Sequence, residues 1–213
     1  MRSGVALPLK DTLVLVPFRT LSVHPFSYPF RAMKDVRSAL ALKFRPLLSG
    51  EEAVEIIPWV SSSSGGASGA AWCLAASEVP EDGAIGASSV VWPLPLALAS
   101  CVDGEGAAVF GGEGVLVSAV FSEGSPVFCR CSVTGGAPTA ADMDREARLC
   151  EEYAAATGLG GPPSSVWRGT SAAELFYAAE KTVAAFPPYL SVNILRGALE
   201  ASLAREKTAR ALR

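Results

Sequence analysis

Charge is scarce in this chain: 18% of its 213 residues are Asp, Glu, Lys or Arg, against 50% apolar, and the formal net charge is −3. With 18 basic and 21 acidic residues, no overall field would draw the protein onto nucleic acid, and that class of partner is set aside. Histidine is scarcer still, His24 being the single one. A Ser-His-Asp or Cys-His arrangement would have to use it. It stands in VHPF with no nucleophile elbow nearby, so it reads as a packed or surface side chain. The five cysteines, Cys73, Cys101, Cys129, Cys131 and Cys150, are odd in number and lack a C-x-x-C pair. That excludes a disulfide framework and a zinc knuckle alike, and favours a cytosolic compartment. Cys129 and Cys131, two apart on a strand, share a face that Cys150 could approach from a helix above, as small core thiols. The glycine pairs Gly65-Gly66 and Gly160-Gly161 lack the lysine of a phosphate loop and read as turns. No metal and no cofactor is expected.

One apolar run is long enough to be tested as a membrane span, residues 84–102, AIGASSVVWPLPLALASCV. Pro93 and Pro95 would remove backbone donors in mid-helix, so a buried strand, SSVVW, leading through a Pro turn into a short helix, LALAS, is expected instead. The N-terminal run LVLVPF is short, is followed by Arg19 and has no small-residue cleavage site, so no signal peptide is read.

The segment that organises the rest is 106–133, GAAVFGGEGVLVSAVFSEGSPVFCRCSV. Three runs rich in Val and Phe are broken by Gly111-Gly112-Glu113-Gly114 and Ser122-Glu123-Gly124-Ser125, which predicts a three-stranded antiparallel meander with tight turns. A helix from about Thr139 to Thr157 should follow, with Met143, Ala147, Cys150 and Ala154 on one face. Then come a strand, Ser164 to Arg168, and a helix, Ser171 to Phe186. Upstream, Thr12 to Val16 and Thr20 to Pro25 read as strands joined by a turn at Pro17-Phe18-Arg19. A helix begins at Phe30 with Ala32, Val36, Leu40 and Phe44 aligned. Ala53 to Val60 and Ala70 to Ala76 read as the arms of a hairpin, with Ser61 to Gly69 as a mobile tip.

Two successive units of hairpin, helix and strand point to an α/β fold of mixed sheets, made of two RNase H-like subdomains as in the actin-like superfamily. The first covers residues 1–98, the second 99–188, and a basic helix closes the chain at 189–213. On three stretches the chain resembles the cytoplasmic region of type II secretion protein L. These are the opening LVLVPFRTLSVHPFSYPFRAMKDVRSALALKFRPLL, the segment VVWPLPLAL and the terminal SVNILRGAL. The resemblance implies a non-catalytic scaffold on the cytoplasmic face of the bacterial inner membrane. Its partners would be a cytoplasmic secretion or pilus ATPase, the inner-membrane platform proteins and a second copy of the chain. Pilus-assembly protein M is similar in fold and role. Against the family, the chain starts late in the first half and lacks the single membrane span. Arg196, Arg205, Lys207, Arg210 and Arg213 then read as the basic flank of a span beyond this sequence.

Actin-like ATPases hold nucleotide between two glycine-containing hairpins, each after a strand that ends in an Asp. Here the first candidate, Val16 to Thr20, has neither Asp nor Gly, and Pro17 lacks a donor. In the second, Phe110 to Gly114, Phe110 stands at the acidic position and Glu113 would set negative charge against phosphate. Hydrolysis is therefore not expected. Asp103-Gly104-Glu105-Gly106 is the feature that keeps the alternative, a nucleotide-binding actin-like protein of type IV pilus assembly.

Overall fold

The computed structural model describes residues 2–6, 12–44, 54–62, 65–79, 89–102, 104–112, 114–157 and 166–185. Strand β1 (Arg2–Ala6) pairs antiparallel with β2 (Thr12–Val16), and β2 is central in its sheet. Its unbroken apolar run is that of a strand covered on both faces, and Leu13, Val14 and Leu15 are all buried. A second sheet holds β3 (Ser22–Tyr28), β4 (Val54–Ser62) and β5 (Ala67–Ala75) in the order β3-β5-β4, antiparallel throughout. Across one of its faces lies helix α1 (Met33–Lys43). Val36, Leu40 and the following Phe44 are buried there against Phe26, Ala67, Ala71 and Cys73. Ala32, expected on that stripe, is exposed just ahead of the helix.

Two expectations are corrected here. Strands β2 and β3 do not form a hairpin: β2 has β1 on one edge and β6 on the other, so Pro17 to Leu21 carries the chain to a different sheet, where β3 pairs with β5. The β4–β5 hairpin does form, but its ladder runs as far as Ser62 and Ala67, taking in Ser61, Ser68 and Gly69 that composition assigned to a loop. Small residues are used there for close approach. A Cβ on Gly69 would run into the carbonyl oxygen of Trp59.

Strand β6 (Ser89–Pro93) then adds parallel to β2, in register from Thr12↔Ser89 to Val16↔Pro93. It leads into a 3₁₀ segment, Leu94–Cys101, whose Leu94, Leu96, Ala97 and Leu98 are completely buried. An element that is apolar all round must be enclosed by protein or lipid, and here sheet and helix enclose it. Among the described residues no helix is long and apolar enough to cross a membrane. The division expected after residue 98 falls inside this segment, and one apolar cluster extends from Leu13 and Leu15 through Leu94 and Leu96 to Phe121 and Leu175.

The meander forms as β7 (Gly106–Gly112), β8 (Val115–Ser122) and β9 (Ser125–Val133). Glu123 and Gly124 both have positive φ, 50° and 71°, the conformation of a type I′ turn, which matches the twist of the strands it joins. Helix α2 (Ala140–Thr157) lies on the meander with Met143, Ala147, Cys150 and Ala154 buried, the four residues its periodicity selects. Strand β10 (Val166–Gly169) returns parallel to β7, giving the order β10-β7-β8-β9, and α3 (Ala172–Ala185) follows. The expected order of three antiparallel strands, helix, strand and helix is thus present, and the fold is α/β with mixed sheets. Buried Thr182 fixes α3 to the 3₁₀ segment: its Oγ1 donates to the Ala97 carbonyl at 3.0 Å and accepts from the Ser100 N–H at 3.1 Å.

Candidate functional site

The first turn that could cradle phosphate, the link from β2 to β3, is instead closed by a side chain of the protein. After β2, Phe18 inserts into the core and leaves Arg19 and Thr20 exposed. Their backbone N–H groups donate to the carboxylate of Glu78, at 3.3 Å to Oε1 and 3.1 Å to Oε2, and the Thr20 hydroxyl donates to Oε2 at 3.0 Å. Thr20 Oγ1 also accepts from Ala75 N–H at 2.8 Å, so the turn is laced to the end of β5, where the short turn Ala76–Glu78 carries the carboxylate. Successive backbone donors converging on one anion make an anion nest. Here the anion is Glu78.

The strand that leads into the second hairpin is closely packed. A Cβ on Gly111 would sit 2.9 Å from Cγ and Sδ of Met143 on α2, and one on Gly112 would sit 2.5 Å from the carbonyl oxygen of Thr170. These glycines let α2 and the β10–α3 turn press onto β7. Phe110, at the position an acid would need, is fully buried, with its ring folded against Gly112. Glu113 and Asp103 lie outside the described residues. Gly104, with φ 81°, accepts from Gly124 N–H at 2.7 Å, which ties the turn before β7 to the β8–β9 turn.

His24 is half-buried on β3, its ring 4.8 Å from that of Phe44 and its Nε2 3.1 Å from the hydroxyl of Ser22. Burial lowers its pKa, and neighbouring Lys43 lowers it further. A catalytic Ser-His pair needs a negative group to stabilise imidazolium, whereas the charge felt here is positive.

Cys129 and Cys131 share a face as expected, but Cys150 is on the other side of the sheet. The first two belong to the core shared with the 3₁₀ segment, whereas Cys150 packs with Ala107, Val120 and Val127 under α2. The expected approach of Cys150 is therefore corrected: α2 covers the opposite face of the meander. All five thiols are free. Burial pushes Cys73 and Cys101 up to about 11 and Cys131 and Cys150 to about 12, and raises Cys129 further. Among the described residues no group of His, Cys, Asp and Glu could hold a metal ion.

One polar cluster escaped the sequence reading. Glu146, with 4% of its side chain exposed, accepts a 3.0 Å hydrogen bond from the buried Ser118 hydroxyl and lies 3.5 Å from Nη1 of the half-exposed Arg130. A signal was present, since position 146 falls on the same helical stripe as Met143, Ala147 and Cys150. The cluster joins α2 to β8 and β9 as a clamp buried at Glu146 and Ser118 and open to solvent at Arg130. The basic residues Arg196, Arg205, Lys207, Arg210 and Arg213 lie outside the described residues.

No family model matches the chain, and no curated protein does. Among solved structures it is similar to one described as "PilM-PilN type IV pilus biogenesis complex", at 10% identity and a TM-score of 0.47, over 86% of this chain and 70% of that chain.

Proposed function

We propose that the chain is a non-catalytic scaffold that holds together parts of a protein-secretion or pilus-assembly machine at the inner membrane. The observation that carries this reading is the turn after β2, where the N–H groups of Arg19 and Thr20 are already spent on Glu78. A nucleotide phosphate arriving there would meet a carboxylate and would have to displace it. Packing of Met143 and Thr170 against Gly111 and Gly112 supports the same reading on the strand that leads into the second hairpin. With the donors of that turn engaged by Glu78, the surfaces of the body are left as the means of action.

The stretches that resemble type II secretion protein L make a cytoplasmic secretion ATPase and inner-membrane platform proteins the partners to test, with type IV pilus assembly as the neighbouring case. In a pull-down, the full chain should retain the N-terminal domain of a secretion or pilus ATPase at micromolar concentration. Clean absence of binding to both would contradict the proposal. Saturable binding of magnesium nucleotide would replace it with the nucleotide-binding alternative.

A further inference from the structure

We draw no further inference here: the strongest candidate, the cluster of Glu146, Ser118 and Arg130 between α2 and the strands β8 and β9, has both oxygens of its buried carboxylate engaged within the fold, and nothing in the structure shows a ligand or partner that would reach it.

Discussion

Replacing Glu78 by Ala tests whether the carboxylate is the bound anion of the turn after β2. The change removes the acceptor of three hydrogen bonds, from Arg19 N–H, Thr20 N–H and Thr20 Oγ1. A buried charged bond would be worth ~1.5–3 kcal/mol, but these donors are exposed and water replaces part of each, so the whole loss should be about 2 kcal/mol. The Thr20 Oγ1 to Ala75 bond survives and keeps the turn seated, which caps the damage. Equilibrium unfolding in urea reads the loss directly, because Trp72 and Trp92 are fully buried and their emission shifts on exposure. Glu78→Gln retains one carbonyl acceptor and should lose about half as much. A loss below ~0.5 kcal/mol, or a gain in stability, would mean that the carboxylate does not hold this turn, and the reasoning would fail.

Three other predictions follow from the same geometry. Thr182→Val keeps the shape of the side chain and strands both the Ala97 carbonyl and the Ser100 N–H in the interior, so it should cost ~3 kcal/mol in the same urea assay, whereas Ser100→Ala should cost ~1 kcal/mol. In the native state at pH 8 a disulfide reagent should label at most Cys101, the one thiol that is not buried, and all five in urea, as absorbance of the released thiolate reports. Stability should fall with acid in two stages. His24 is lowered below 6.5, so the unfolded chain binds its proton first and stability begins to drop as pH falls through 6.5. Asp142, held down chiefly by the Thr139 side chain, and Glu174, held down chiefly by the Thr170 backbone N–H, lose their contributions as pH falls through their depressed folded values, below the ordinary 3.8 and 4.5. Melting temperatures from pH 8 to 3 check this, and His24→Gln should abolish the first stage alone.

The second half was legible because its signals are local. Val and Phe runs between glycine turns define β7, β8 and β9, and the spacing of Met143, Ala147, Cys150 and Ala154 gives the face of α2 directly. The first half hides its pairing. An apolar run such as TLVLV does not say which strands flank it, and the parallel match of Thr12 with Ser89 joins segments far apart in sequence. Strand β5, ASGAAWCLA, reads shorter in the sequence because Ala, Ser and Gly look like loop until the carbonyl of Trp59 is seen to need the space at Gly69. Of the candidate site, the sequence displays what the hairpins lack, an Asp and a donor at Pro17. That Glu78 fills the turn after β2, 58 residues from Thr20, required the fold.

The central claim is that the turn after β2 holds an anion of the protein's own, Glu78, and that β7 is closely packed where it enters its hairpin. Thermal unfolding across a titration of Mg-ATP and Mg-ADP tests it most directly. The account predicts a melting temperature that does not move with nucleotide concentration, for the native chain and for Glu78→Ala alike, since Met143 and Thr170 still press on β7 where it enters the second hairpin. A saturable, dose-dependent rise in the native chain would contradict it.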